Sequence, residues 1–485
     1  MSFRELLDLH ERERGWVDFQ IDSFNKLIDS GLQEIINEIG FLNLTPETGE
    51  LKLAFGEVTV GKPTVEEADG SHKEIFPNEA RIRNLTYSAP VFVEITPIVN
   101  GVREKPEVVK ICEIPVMVRS KLCKTYGLSE QELIENGEDP KDPGGYFIIN
   151  GTERVVVLIE EIASNKPVYE WSKDVITVRI NSERSGFRQK HLIEKKPDGT
   201  LHISFANLRH LSLIAILRAL GLETDKEICD NISKDPRVLN ELYVSLYQEE
   251  ARTSEEAIEF IGKKLRLSED YRKERVNQIL DRYLLPHIGQ ETKNRLEKAK
   301  FLCKVINNVL RLSLGMVPED DIDHYRNKRL LTSGELLGQL FRSVLLGRWG
   351  LLAKMTYNYQ KLVKRGKVPS VQGIVEADAA TKQILSSLAT GNWVGGRTGV
   401  SQRLDRSCFI KTISHLRSAI SPLTPTQEHF RARQIHPTEW GRICPAETPE
   451  GSSIGLRKHL AIMTEITPGL NLEEEAKLLK ELQEA

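Results

Sequence analysis

The spacing at which apolar residues recur changes repeatedly along this chain, and that change limits the fold more than any single motif. Between residues 16 and 40, Ile21, Phe24, Leu27, Ile28, Leu32, Ile35, Ile36 and Ile39 fall at helical spacing, which predicts an amphipathic helix with one face on a core. From about 51 to 120 the pattern becomes alternation and β-branched runs (LKLAFGEVTV, APVFVEITPIV, EVVKICEIPVMV) divided by Gly, Pro and Asn, as antiparallel strands require. Ser129 with Glu132 forms a capping box for a short helix that Gly137 ends. DPGGYFIINGTERVVVLIEE then reads as a turn feeding two buried strands joined at Asn150 and Gly151. Residues 168 to about 330 are mixed at first (KDVITVRI, LHISF) and then mostly helical, with periodic stretches at 208–222, 254–265 and 294–314. Residues 333–390 are rich in helix formers and carry the basic patch KLVKRGK, after which Gly391, Gly395, Gly396 and Gly399 break the pattern. Helical and strand segments that occupy separate stretches imply an α+β, multidomain chain.

Length supports that division, because 485 residues exceed what one ordinary core accommodates. A composition of 40% hydrophobic and 28% charged residues is that of a globular protein, and no stretch has the roughly 20 apolar residues that span a bilayer. The opening MSFRELLDLHERERGW puts charges where a signal peptide needs an apolar run, so a cytoplasmic, non-membrane location is expected. Cys112, Cys123, Cys229, Cys303, Cys408 and Cys444 lie far apart with no close pairing, so reduced thiols and no metal site are expected.

Net charge is only −3, but its distribution is uneven. Between residues 393 and 460, ten cations (Arg397, Arg403, Arg406, Lys411, Arg417, Arg431, Arg433, Arg442, Arg457, Lys458) face five acids (Asp405, Glu428, Glu439, Glu447, Glu450). The first half of that segment reads as a helix-like run with Arg403, Arg406, His415 and Arg417 exposed, and Pro422 and Pro425 then force a loop. Arg431 and Arg433 follow at a two-residue spacing that would put both on one side of an extended segment, toward phosphates. A basic solvent face is the other reading, and charge does not decide between them. ETPEG, from Glu447 to Gly451, is a proline-fixed turn that could be held beside Arg433 or Arg442. The last residues, with Glu473 to Glu475, read as a short acidic helix.

Two other motifs resolve to plainer readings. GEVTVGK (56–62) has phosphate-loop spacing, but Pro63 stands where a magnesium-binding hydroxyl is needed and the stretch is strand-like. Glu319, Asp320, Asp321 and Asp323 alternate with Arg326, Lys328 and Arg329, so internal pairing is expected rather than magnesium. No Ser/His/Asp order, HExxH helix or close carboxylate pair marks a self-contained active site.

EARIRNLTYSAPVFVE, EIPVMVRSKLC, GGYFIINGTERV, DDIDHYRNKRL, LATGNW, GVSQRLDR, SHLRS and RQIHPTEWGRICPAETPEG, in that order, resemble the second-largest subunit of cellular RNA polymerase. The nearest form resembled is the amino-terminal half of an archaeal B subunit split in two, the B double-prime chain. The resemblance implies a protrusion from 1–167 and 333–390, an inserted lobe at 168–332, a fork at 391–463 and an acidic helical tail at 464–485. It implies a subunit of DNA-directed RNA polymerase that forms one wall of the DNA cleft, with no catalytic residue or metal of its own and inactive alone. Mg²⁺ would be held mainly by the largest subunit. The implied partners are the carboxyl-terminal half of B, the largest and other subunits, template DNA and RNA, and general initiation factors.

Arg433 and Glu450 match family positions near the incoming nucleotide and the RNA end, with positioning and electrostatic roles. Arg442, Arg431, Arg417, Gln402, Asp405 and His415 complete the expected nucleic-acid-proximal set. Gln402, Asp405 and His415 match the bacterial rifamycin pocket, whereas Arg403 and Ser418 do not, which implies weak inhibition by that drug class. Arg326, Arg403, Pro425, Ser452 and Ser453 depart from the family pattern.

Overall fold

The computed structural model describes residues 2–44, 51–67, 69–172, 174–184, 187–206, 208–265, 268–365, 370–467 and 472–484. Gly366 and Lys367 of the basic patch lie outside these residues, as do the side chains at 473–475 of the acidic tail. The chain forms two compact units: Met1–Glu161 with Leu330–Ala485, and Ile162–Arg329 between them.

The first unit begins with helix Phe3–Arg14, whose Ser2 and Glu5 cap each other's backbone. Asp18–Lys26 runs through a π-helical turn, Leu27–Gly31, into Leu32–Ile39. That turn inserts the extra residue that brings Leu27 and Leu32, five apart, onto the same buried side. These helices cover an antiparallel sheet whose central strand, Ser88–Val99, pairs with Leu51–Val60 on one side and Glu107–Pro115 on the other. Val91, Val93 and Ile95 alternate inward along it, as one buried face demands.

The returning segment completes this core. Helix Ser333–Leu346 approaches helix Asp18–Lys26 so closely that a Cβ on Gly334 would collide with the Ser23 backbone. Helix Ala377–Thr390 packs on Glu107–Pro115, and its Thr381 hydroxyl accepts the Glu113 N–H at 2.9 Å. GEVTVGK lies in strand Leu51–Val60 and the residues after it, and Lys62 pairs with Glu74 at 3.3 Å.

The second unit is a five-stranded antiparallel meander, Pro167–Ser172 to Leu208–Ser212, followed by helices that enclose its apolar face. The stretch 208–222, expected to be helical throughout, starts as strand Leu208–Ser212 and becomes helical only at Leu213–Ala219, because its first residues pair with Leu201–Phe205. Helix Arg295–Ser313 buries Leu302, Val305, Ile306, Val309 and Leu310 in this core. The acidic run covers the sheet's edge: Asp320 and Tyr169 exchange backbone and carboxylate bonds, and Glu319 accepts the Trp171 N–H at 3.2 Å. Asp323 pairs with Lys328 at 3.3 Å and Asp320 with Arg326 at 3.8 Å, so these carboxylates are met from within the unit.

Among the described residues, no helix is long and apolar enough to cross a membrane. All six cysteines are free thiols.

Candidate functional site

A cleft of about 1000 Å³ opens in the first unit where strands and turns distant in sequence converge. Its frame is the hairpin Phe147–Ile149 to Thr152–Val156, turned at Asn150 (φ 49°) and Gly151 (φ 72°). Positive φ at both central residues matches the twist of a two-residue hairpin, and a Cβ on Gly151 would lie 2.6 Å from Asn84 Oδ1. Strand Ser401–Arg403 pairs with the hairpin's second strand, setting Gln402 opposite Val155 and Arg403 opposite Arg154. The helix-like run expected here is therefore a strand and a turn, with helix only at Phe409–Leu416.

One wall is an internally neutralised cluster. Arg406 grips Glu153 with two bonds of 2.7 and 2.9 Å, reaches Asp142 at 3.1 Å, and stacks 4.9 Å over the Tyr146 ring. Arg81 bonds Glu153 at 2.9 Å, Glu138 at 3.2 Å and the Tyr146 hydroxyl at 2.6 Å. Burial, then the neighbouring Asp142 carboxylate, push the Tyr146 phenol well above its ordinary range, so it remains a donor.

The other wall holds Gln402, Asp405 and His415 together. The Asp405 N–H donates to His415 Nδ1 at 3.2 Å, and His415 Nε2 lies 3.1 Å from Gln402 Oε1 and 3.3 Å from Arg457 Nη2. Arg457 donates to that same oxygen at 2.6 Å. Burial, and then the Arg457 charge, lower the His415 pKa to about 4, so the imidazole is neutral at pH 7. The Asp405 carboxylate is held below its usual range by the Ser407 hydroxyl and N–H. Arg403 and Lys411 are exposed at the cleft and form no ion pair among the described residues.

The other expected residues, Arg417, Arg431, Arg433, Arg442 and Glu450, do not line the cleft. Arg417 and His415 were expected to be exposed, yet they are only 4% and 7% accessible. Arg417 is a strut: it donates to the carbonyls of Trp16, Ala461, Ile462 and Thr464 at 2.6–3.1 Å, and burial lowers its pKa to about 10. Arg431 and Arg433 sit on the short helix Phe430–Arg433, where a spacing of two points side chains apart, so the expected shared side is lost. The Arg433 guanidinium donates to Ser452 O (2.6 Å), Ile454 O (2.9 Å), Pro425 O (2.7 Å) and Gln427 O (3.3 Å), tying the proline loop to the segment after ETPEG. Arg442 is exposed and bonds Thr438 O at 3.1 Å; Glu450 is exposed at the start of turn Gly451–Ser453. Glu447, Thr448 and Pro449 of ETPEG reach the cleft, whereas Arg431, Arg433, Arg442 and Glu450 do not line it.

Sequence reasoning does not single out Arg81, Glu153, Lys411 or Arg457. Lys411 was findable, four residues before His415 on one helix, but the Arg457 and Glu153 partnerships rest on long-range pairing. It also misses a buried triad: Lys458 Nζ bonds Glu439 at 2.5 Å and Glu160 at 3.2 and 3.3 Å, joining the turn at Pro437–Glu439 to strand Leu158–Ile162. Among the described residues, no group of three or more His, Cys, Asp or Glu side chains is arranged to hold a metal ion.

A family model described as RNA polymerase beta subunit matches residues 15–382, and a second, RNA polymerase Rpb2, domain 3, matches 402–466, the segment that carries the cleft's second wall. The chain belongs to the RNA polymerase beta-subunit family. Similar members include the DNA-directed RNA polymerase subunit Rpo2N of Methanocaldococcus jannaschii, 42% identical over 99% of this chain and 98% of that one. The Rpo2N of Methanococcus vannielii is 43% identical, covering 99% of both. The Rpo2 of Saccharolobus solfataricus is 41% identical over 98% of this chain but only 43% of its own length.

Proposed function

We propose that this beta-family chain is the amino-terminal half of an archaeal second-largest RNA polymerase subunit, the B double-prime form, acting in transcription in the cytoplasm. One observation carries the reading: it matches Rpo2N chains end to end, while covering 43% of an undivided Rpo2. In this reading residues 1–167 and 333–390 are the protrusion, 168–332 the lobe, 391–463 the fork and 464–485 a helical tail. The partners are the carboxyl-terminal half, the largest subunit and the other polymerase subunits, with template DNA, RNA and general initiation factors.

Template-directed phosphoryl transfer depends mainly on alignment and charge stabilisation, so a subunit can contribute to rate without holding a reacting group. Arg403 and Lys411, which form no ion pair among the described residues, offer positive charge at the cleft suited to phosphates. Arg433 acts through position, since its four carbonyl bonds tie the proline loop to the segment just after Glu450. In this reading Mg²⁺ is held mainly by the largest subunit; in this chain the acidic run Glu319 to Asp323 is engaged by amides, Arg326 and Lys328.

The test is purification of the tagged chain from its native cells. Recovery with a carboxyl-terminal half and the largest subunit, and template-dependent RNA synthesis by that assembly alone, is the expected result. Recovery as a lone monomer would reject the assignment.

A further inference from the structure

Between Glu335 and Glu376 the sequence contains no acidic residue at all, but seven cations: Arg342, Arg348, Lys354, Lys361, Lys364, Arg365 and Lys367. Arg342 is answered by Glu38 at 2.8 Å. Helix Leu351–Lys364 arranges Lys354, Lys361 and Lys364 by its period. It packs through Leu351, Leu352, Met355, Tyr359 and Leu362, and at 100° per residue Tyr357, Lys361 and Lys364 fall on the far face with half-buried Lys354 at its margin, spaced three, four and three. These three lysines form no ion pair among the described residues, in contrast to exposed cations such as Lys121 on Asp29 or Arg83 on Glu67. Two aromatic rings lie in this basic field: Tyr357 is 64% and Trp349 74% accessible, with the Arg348 guanidinium 5.5 Å from the Trp349 ring centre. None of these residues lines the cleft.

From this arrangement we infer a second nucleic-acid site, on the outer face of helix Leu351–Lys364 and the turn before it, that takes single-stranded nucleic acid. The row from Lys354 to Lys364 extends about 15 Å, long enough for successive phosphates of one strand. The exposed rings favour a single strand, because a duplex hides its base faces whereas an unpaired base can stack on Trp349 or Tyr357. The site stands on this geometry and not on the polymerase assignment, so either can fail without the other.

The test uses the full chain and labelled oligonucleotides of about 15 nucleotides, single-stranded and duplex, titrated across salt concentration. Replacing Lys354, Lys361 and Lys364 together by Gln lowers the single-strand log–log salt slope by about 2. The triple Lys→Arg variant retains the slope. Single strands quench a tryptophan signal that Trp349→Phe removes. An unchanged slope in the Gln variant overturns the site. Equal binding of duplex without Trp349 quenching overturns the single-strand assignment, and equal, Lys-dependent binding of polyglutamate overturns nucleic acid as the ligand.

Discussion

Two stretches of this chain look alike in sequence, both rich in Lys and Arg, and the fold uses them in opposite ways. In residues 397–458 seven of the ten cations bond acceptors within the fold, Arg442 on Thr438 and Arg457 on Gln402 beside Arg397 on Glu161, Arg406 on Glu153, Arg417 and Arg433 on backbone carbonyls, and Lys458 between two buried carboxylates. In residues 348–365 Lys354, Lys361 and Lys364 form no ion pair among the described residues and line one side of a helix, with Lys361 and Lys364 exposed. A local excess of positive charge therefore says little about where charge is available. What decides is whether the fold brings acids or carbonyls to it.

If that contrast is correct, substitutions in the first stretch cost stability or alignment, whereas those in the second cost only binding. The largest effect is expected at Lys458→Met, which removes the ammonium shared by the buried Glu160 and Glu439 carboxylates and lowers unfolding free energy by about 3–5 kcal/mol in urea titrations. Arg417→Ala follows at about 2–4 kcal/mol by the same measurement, since four carbonyls lose their donor in a buried place. Arg433→Ala should raise the barrier to single-nucleotide addition by the assembled enzyme by about 1.5–3 kcal/mol. Lys at that position should not restore the rate, because an ammonium cannot span four carbonyls as the guanidinium fork does.

A smaller effect comes from His415. Its folded pKa, about 4, lies below the ordinary 6.5, so the unfolded chain binds the proton more tightly. The stability linked to this group is complete above pH 6.5 and is lost as pH falls toward 4. Denaturation midpoints should reflect a loss of about 1 kcal/mol by about pH 5.5, and His415→Gln should remove that part of the slope. The smallest effect belongs to the triple Gln variant of Lys354, Lys361 and Lys364, whose unfolding free energy should stay within about 0.5 kcal/mol of the wild type. A large destabilisation there would erase the distinction between the two stretches.

The parts of this molecule readable in advance were those encoded locally. The capping box at Ser129 and Glu132, the Asn150–Gly151 hairpin and the alternation along Ser88–Val99 need only neighbours in sequence, and each has the expected conformation. Strand Leu208–Ser212 was hidden because its partner, not its own pattern, made it extended. At the site, Gln402, Asp405 and His415 could be grouped from their motif, but the burial of His415 and Arg417 could not. Arg417 is enclosed by carbonyls from Trp16 and from 461–464, segments far from it along the chain.

The account stands or falls on whether this chain lines a reaction chamber whose reacting metals come from another subunit. Reconstitution of the polymerase with every subunit present, or with this chain left out or alone, measured as template-directed addition of one nucleotide, tests that most directly. We expect addition by the complete assembly and none by this chain alone or by the assembly that lacks it. Addition by the isolated chain, or an undiminished rate without it, would contradict the account.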